Sequence, residues 1–228
     1  MFESMRNSIQ KSWFLLKKNW KPWPEGEEGL KVRDHRQMVG GMWDEIGEFQ
    51  FNFLRNQGLE PSNVLLDIGC GSFRAGKWFI EYLEPGNYLG IDKQKELVEQ
   101  GKKNEISDEI WNNKTPEIIV SDAFEFHKFQ KKPDYAIAQS LFTHLSIQDI
   151  KICLINLAKF APAHCKLYAT FFESDKKVMN ILSSHSSRRF EYTSKQMADL
   201  GKNCSWEMQY IGDWNHPRNQ KLVIYYKK

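Results

Sequence analysis

The sequence lacks the features that mark several large classes of protein. Its four cysteines, Cys70, Cys153, Cys165 and Cys204, have no CxxC spacing, so we expect no metal site and no disulfide framework, and a cytoplasmic setting. No apolar run approaches the roughly 18 to 20 residues that span a bilayer, and the N-terminus lacks the apolar core of a secretion signal. The net charge of +3 at pH 7 is too small to favour nucleic acid as a partner.

The chain of 228 residues instead has the alternating pattern of a single α/β domain. Apolar runs predict strands at 63–67, 88–92, 117–122, 134–140 and 166–173, and helical patterns follow at 73–83, 94–100 and after Ser146. A capping-box signature at Thr193 and Gln196 precedes a helix that ends at Gly201, and two strands near 206–211 and 221–226 close the chain. This order predicts a doubly wound, mostly parallel sheet with helices on both faces.

Residues 1–39 differ from the rest and are predicted to form an N-terminal helical extension or lid, whereas 40–228 form the main domain. Apolar residues over 5–20 have helical spacing with lysines and an arginine between them, and 21–29 is typical of a loop. A helix packed on the domain, a lid, and a membrane-surface or partner helix all fit this pattern. A hinge at Gly40 and Gly41 would allow closure to carry His35 and Arg36 into a site.

The most informative stretch is 64–76, where a buried strand ends at Asp67, turns on Gly69 and Gly71, and enters a helix. A dinucleotide fingerprint requires a third glycine at position 74, where Arg74 stands. The missing glycine and the nearby acid favour a cofactor with positive charge over a pyrophosphate. Further polar residues, among them Asp92 and Asp122, end the following strands, and these strand ends share one edge of a parallel sheet.

This stretch resembles motif I of the class I S-adenosylmethionine-dependent methyltransferases, and the resemblance extends over nearly all of the chain after residue 40. It implies a seven-stranded Rossmann-like sheet with an antiparallel last strand. It also implies that Asp67 and Gly69 lie at the methionine end of the cofactor and Asp92 at the ribose. Asp122 and Ala123 would lie beside the adenine, where Phe124 and Phe126 either flank the ring or belong to the core. The complete predicted cofactor site is Asp67, Gly69, Cys70, Gly71, Asp92, Lys93, Asp122, Ala123 and Gln139.

The segment 139–145 follows the fourth strand and, by the resemblance, borders the transferring methyl group. Its Phe-Thr-His-Leu sequence recurs among family members that act on small molecules. A hydroxyl acceptor needs a base to remove its proton, and a neutral imidazole suits that role near pH 7. His144 is therefore the predicted catalytic residue, with loop structure or substrate positioning as the alternative.

The predicted substrate-binding residues are Arg74, Ser140, His216 and Arg218. His216 and Arg218 belong to a polar loop at 212–219 that is longer than a hairpin requires, and they suit an acidic or hydroxylated group. In the alternative interpretation, this loop is a rigid turn whose Trp214 packs down. Arg74 either reaches a substrate anion or pairs with Asp67 or Asp92.

The sequence therefore predicts an S-adenosylmethionine-dependent methyltransferase that acts on a small molecule. We expect the acceptor atom to be an oxygen, as a hydroxyl or carboxylate of a natural-product or sugar-type substrate. Two other functions remain open, namely a nicotinamide-dependent oxidoreductase and a non-catalytic methyltransferase-like binding subunit. No nucleic-acid partner and no stable membrane insertion are expected, and the protein is predicted to be a monomer or homodimer.

Overall fold

The computed structural model describes residues 22–227, so the predicted helix over 5–20 lies outside the described residues. Eight strands form one sheet. They are β1 (Leu65–Ile68), β2 (Tyr88–Asp92), β3 (Glu117–Val120), β4 (Tyr135–Ala138), β5 (Lys166–Glu173), β6 (Glu191–Tyr192), β7 (Trp206–Gly212) and β8 (Lys221–Lys227).

Eight α-helices accompany these strands in the described part of the chain. They are α1 (Gly26–Leu30), α2 (His35–Met38), α3 (Trp43–Asn56), α4 (Gly76–Tyr82), α5 (Lys95–Glu105), α6 (Asp108–Lys114), α7 (Ile147–Phe160) and α8 (Ser194–Asn203). One 3-10 turn spans Phe126–Lys128. None of the helices within 22–227 combines the length and the apolar character needed to cross a membrane.

The sheet confirms the predicted doubly wound, mostly parallel architecture. Its strand order is β3-β2-β1-β4-β5-β8-β7, and β8 runs antiparallel to both of its neighbours. The two-residue strand β6 pairs with the end of β5 and raises the number of strands from the predicted seven to eight. Because two residues are too short to show a period, β6 gives no signal in the sequence.

The core lies in two apolar layers, one on each face of the sheet. Successive residues of a strand point to opposite faces, so Leu65 packs with α3 and α4, whereas Leu66 packs with α7 and α8. Because the strands pack against apolar layers on both faces, the carboxyl ends of β1, β2 and β4 are held in fixed positions relative to one another. The fold therefore holds the loops that follow these strands on a rigid support.

The predicted caps are confirmed. The Ser146 side chain accepts a hydrogen bond from the Asp149 backbone and begins α7, and Thr193 with Gln196 forms a complete capping box on α8. Each cap satisfies backbone N–H groups that a helix start leaves without partners. Helix α8 ends two residues beyond the predicted stop at Gly201.

Three helix predictions are corrected by the structure. The segment predicted as a loop at 21–29 contains the start of α1, and α6 was not expected. The helix predicted to stop at Gly101 continues to Glu105 as α5. Glycine at position 101 allows α5 to approach the Ser72 backbone closely, because a Cβ atom at this position would lie 2.5 Å from the Ser72 backbone oxygen. A glycine that ends a helix and one that allows close approach look the same in a sequence.

The contact at Gly101 predicts the sign of a stability change. In an open helix position, Gly→Ala stabilises by about 1 kcal/mol through helix propensity. Gly101→Ala should instead lower the free energy of unfolding by about 1–3 kcal/mol, because the new methyl group overlaps the Ser72 backbone. Urea denaturation measures this change. The control is Lys103→Ala, on the exposed side of the same helix. A higher free energy of unfolding in Gly101→Ala would contradict the prediction, because it would show that the Ser72 backbone can move away from the new methyl group.

Candidate functional site

A cavity of about 780 Å³ lies at the carboxyl edge of the sheet. Its wall combines the loops after β1 to β5, the loop between β7 and β8, and the N-terminal segment 23–40. The structure brings together all of the predicted site residues except Ala123 and His216, and those in the wall are Asp67, Gly69, Cys70, Gly71, Arg74, Asp92, Lys93, Asp122, Gln139, Ser140, His144 and Arg218.

The glycine loop after β1 turns through two positive φ angles, 79° at Gly69 and 53° at Gly71. A Cβ atom on Gly71 would lie 2.8 Å from Val39, and one on Gly69 would lie 3.1 Å from Leu141. Glycine is therefore required for both the backbone conformation and the space. The loop presents bare backbone to the cavity, as a closely bound ligand requires.

Asp92, at the end of β2, connects this loop to the next one. Its Oδ2 accepts from Gly71 N at 2.9 Å, and its Oδ1 accepts from Gln94 N at 2.8 Å. Burial raises the pKa of Asp92, while the two backbone N–H groups lower it. A carboxylate has about four lone-pair sites, so each oxygen can accept one more hydrogen bond from a ligand hydroxyl.

Asp67 is more deeply enclosed than Asp92. Only 7% of it is exposed, and Tyr88 donates a hydrogen bond from its hydroxyl to Asp67 Oδ2 at 2.7 Å. Burial raises the pKa of Asp67 to about 6, with a smaller contribution from the nearby Asp92 charge. The hydrogen bond from Tyr88 opposes this rise.

The loop after β3 matches the prediction only in part. Asp122 is exposed in the cavity wall, and Phe124 lines the wall beside it. Ala123 points elsewhere in the loop, where its carbonyl accepts from Asn156 Nδ2 at 3.1 Å. Phe126 lies in the core. Ala123 is thus outside the cavity wall, although it was predicted to contact the cofactor.

His216 is the second predicted residue that is absent from the wall. It is buried, with its ring stacked on Trp214 at a centroid distance of 5.4 Å. Arg218 N donates to His216 Nδ1 at 3.2 Å, and His216 Nε2 lies 2.7 Å from Gln139 Nε2. The same amide nitrogen donates to Ser140 Oγ at 3.2 Å.

Burial lowers the pKa of His216 to about 4, and the positive charges of Arg74 and Arg218 contribute. Trp214 packs down as the alternative interpretation of this loop expected, donating from Nε1 to the Gln220 carbonyl at 2.9 Å. His216 thus positions Gln139 from behind rather than contacting a substrate. The sequence shows a polar loop but not which of its side chains turn inward.

His144 lies in the wall with a defined tautomer. Its Nδ1 is 2.6 Å from the Arg188 carbonyl, which can only accept, so Nδ1 carries the proton and Nε2 the lone pair. Burial lowers the pKa of His144 below its usual value, and the Arg188 carbonyl partly opposes this. The imidazole is therefore neutral at pH 7, as a general base must be.

The segment 183–187, which follows β5, was missed by the sequence analysis as part of the site. Ser183, Ser184, His185, Ser186 and Ser187 all line the cavity. Ser187 N donates to His185 Nδ1 at 3.2 Å, so the lone pair of this ring is already used. The position of the segment after a parallel strand was the available signal, because such loops leave from the cavity edge.

Two arginines line the cavity beside the segment 39–41. Arg74 Nη1 donates to the carbonyls of Val39 and Gly41 at 3.0 and 3.1 Å, and Arg218 Nη2 donates to the Gly40 carbonyl. Neither pairs with a carboxylate in the described part of the chain. The predicted pairing of Arg74 with Asp67 or Asp92 is therefore wrong.

The N-terminal segment is attached by charged contacts outside the cavity as well as in its wall. His35 and Arg36 both bind Glu105 of α5, so the expectation that closure carries them into the site is not met. Glu25 accepts from Lys93 Nζ at 2.7 Å and from Ser186 N at 2.9 Å. These bonds lower the pKa of Glu25 to about 2 against the opposing effect of burial. Lys93 is thus engaged with Glu25.

The raised pKa of Asp67 predicts a pH dependence of stability in the ligand-free protein. A buried acid whose pKa rises from 3.8 to about 6 stabilises the fold fully below pH 3.8, and that contribution is lost as the pH rises through 6. Relative to Asp67→Asn, which keeps an acceptor for Tyr88, the wild type should lose up to about 3 kcal/mol between pH 4 and 6. Urea titrations across this range measure the difference, with exposed Asp199→Asn as the control. Parallel wild-type and Asp67→Asn curves would contradict the shift.

Comparison with known proteins identifies this arrangement. Residues 66–164 match the family model of a methyltransferase domain. The fold is similar to that of magnesium protoporphyrin IX methyltransferase from Synechocystis PCC 6803 with bound SAM, with a TM-score of 0.60 and 12% identity over 81% of this chain and 79% of that chain. It is also similar to DesVI from Streptomyces venezuelae, with a TM-score of 0.58 and 11% identity over 85% and 95% of the two chains.

A third similar structure is the glycopeptide N-methyltransferase MtfA, with a TM-score of 0.60 and 11% identity over 80% of this chain and 90% of that chain. At these identities the similarity shows the fold alone, and the matched domain model covers 99 of the 228 residues. Residues 66–164 thus match a methyltransferase domain, and the chain has the fold of solved methyltransferases that bind S-adenosylmethionine.

Proposed function

We propose that the protein transfers a methyl group from S-adenosylmethionine to an oxygen of a small-molecule acceptor, a hydroxyl or carboxylate of a natural-product or sugar-type substrate. The observation that supports this most is the composition of one cavity. It combines the bare glycine loop and Asp92 with His144, a neutral imidazole whose tautomer is fixed. A binding site for the donor and a base for the acceptor thus share one space.

The residues of this cavity fit the methyl donor. Gly71 leaves no room for a side chain, and Asp92 has lone pairs left for ribose hydroxyls. Asp67, Asp92 and Asp122 provide negative charge toward a ligand that carries sulfonium and ammonium groups. When bound, the donor supplies a methyl group that its sulfonium already activates. The protein then has to hold the acceptor oxygen in line with that group and exclude water.

His144 supplies the proton acceptor in this proposal. Among residues 22–227, no side chain or backbone group is hydrogen-bonded to its Nε2, whereas Nδ1 is fixed on the Arg188 carbonyl. His185, in the same wall, has its lone pair occupied by Ser187 N. Of the two rings, His144 is therefore the one that can take a proton from an acceptor hydroxyl.

The class of acceptor is proposed from the serines of the segment 183–187 rather than from the fold. The similar structures include a porphyrin methyltransferase and a glycopeptide N-methyltransferase, so this fold is compatible with different acceptors. In the present chain, the segment 183–187 places four serines in the wall, with Asp149 behind them. Hydroxyl groups and a carboxylate suit an acceptor that itself carries hydroxyls.

The binding of the donor is tested at Asp92. Asp92→Asn should weaken S-adenosylhomocysteine by roughly 10- to 100-fold, because the amide loses charge-assisted acceptance of the ribose hydroxyls. Isothermal titration calorimetry measures this change. The control is Asp199→Asn, an exposed change in α8 that should leave the affinity unaltered. Equal affinity for wild type and Asp92→Asn would contradict the ribose assignment, and no binding to the wild type would contradict the proposed function.

The role of His144 is tested by the pH dependence of turnover, with an acceptor found by screening hydroxylated and carboxylated molecules with a radiolabelled methyl donor. A base must be deprotonated, so the wild-type rate should rise with pH below 6.5 and stay level above it, since burial lowers the pKa of His144. In His144→Ala, this rise of the rate with pH should disappear, and the rate itself should fall roughly a hundredfold. S-adenosylhomocysteine affinity should not change.

His185→Ala is the matched control for His144→Ala, because it removes a second imidazole from the same wall. It should keep the rise of the rate with pH that the wild type shows. If the rise of the rate with pH persists in His144→Ala and disappears in His185→Ala, the general base is His185 and not His144. A flat profile in the wild type would indicate a carboxylate acceptor, which needs no base.

A further inference from the structure

Arg74 and Arg218 lie together in the cavity wall, although they are 144 positions apart in the chain. Arg74 lies just before α4, with 8% of the residue exposed, and Arg218 belongs to the loop between β7 and β8. Both donate to the short segment 39–41, Arg74 to Val39 and Gly41 and Arg218 to Gly40. The same three residues thus fix the position of both guanidinium groups.

The two guanidinium groups retain unused hydrogen-bonding capacity. A guanidinium has five N–H donors, and the bonds of Arg74 to the segment 39–41 come from Nη1 alone. Its Nε is buried without a hydrogen-bond partner in the described structure. Within residues 22–227, neither arginine forms an ion pair with a carboxylate. The site is therefore positively charged, and it still has an unsatisfied donor.

Burial and the charge of Arg218 act together on Arg74. They lower the pKa of Arg74 to about 10, and Asp67 partly opposes the shift. His216, directly behind, is held neutral by burial and by the same two charges. The two positive charges repel each other, and buried Arg74 has also lost hydration. An anion placed between them would offset both costs.

We propose that Arg74 and Arg218 form a carboxylate-binding subsite in this cavity, an assignment that rests on the proposed function. The planar guanidinium matches a carboxylate through paired N–H donors. A monoanion fits better than a phosphate dianion, because Asp67 contributes negative charge beside Arg74 at neutral pH. Two ligands offer this group, the methionine portion of the methyl donor and an acidic acceptor.

The first experiment compares S-adenosylhomocysteine with its decarboxylated analogue by calorimetry. If the carboxylate of the cofactor occupies the subsite, Arg218→Gln should weaken S-adenosylhomocysteine roughly 10-fold or more. The decarboxylated analogue should bind wild type and Arg218→Gln alike. Arg218 is chosen because it is less buried than Arg74, and circular dichroism with thermal melting confirms that the variant is folded.

The second experiment applies if Arg218→Gln leaves the affinity for S-adenosylhomocysteine unchanged. Benzoate is titrated into the protein saturated with S-adenosylhomocysteine, with the uncharged benzamide in parallel. A subsite for an acidic acceptor predicts that the wild type binds benzoate and not benzamide, and that Arg218→Gln loses this binding. If Arg218→Gln changes neither S-adenosylhomocysteine nor benzoate binding, the proposed subsite is wrong.

Arg33→Gln is the matched control, because Arg33 lines the same cavity but contacts Pro24 and Trp23 instead. An equal loss of affinity in Arg33→Gln would show a general effect of charge and would overturn the paired subsite. A wild type that does not bind S-adenosylhomocysteine would contradict the proposed function alone. The benzoate comparison, carried out without S-adenosylhomocysteine, would still test the two arginines.

Discussion

The hydrogen bonds that Asp92 accepts from Gly71 and Gln94 are the constraint on which the site depends. One carboxylate at the end of β2 fixes the glycine loop of β1 and the start of the chain toward α5. β2 is paired with β1 on one side and β3 on the other, so the fold fixes the position of this carboxylate. The two N–H groups stabilise the charge that burial opposes. Because both carboxylate oxygens of Asp92 are hydrogen-bonded to backbone N–H groups, the backbone sets the orientation of their remaining lone pairs.

The outer wall depends on a second set of contacts between segments that are distant in the chain. Glu25 binds Lys93 and Ser186 N, and thereby joins the N-terminal segment to the loops after β2 and β5. Arg218 joins the same segment to the loop between β7 and β8 through the Gly40 carbonyl. These contacts are polar, whereas the inner wall rests on the core. We therefore expect the outer wall to open more easily than the inner wall.

The sequence was sufficient for the elements whose signals are local. The strand that carries Asp67, the cap at Ser146 and the capping box at Thr193 each depend on residues within a few positions of one another. Gly101 and His216 were misjudged because their roles depend on contacts with Ser72 and Gln139, which are distant in the chain. His185 was left out of the site because the segment after β5 has no periodic pattern. Tertiary contacts of this kind have no signature in a single sequence.

The charges in the wall are separated by sign. Asp67 and Asp92 lie near the carboxyl ends of β1 and β2, and Asp122 follows β3, whereas Arg74 and Arg218 lie beside the segment 39–41. A ligand that carries positive and negative groups a few bonds apart is favoured in one orientation by such a wall and disfavoured in the reverse one. Because the aspartates are held by the sheet and the arginines by the outer segments, the two ends of a ligand are bound by parts of different rigidity. The family motif describes only the rigid end, so specificity for the acceptor is expected to reside in the arginines, the serines at 183–187 and the segments that hold them.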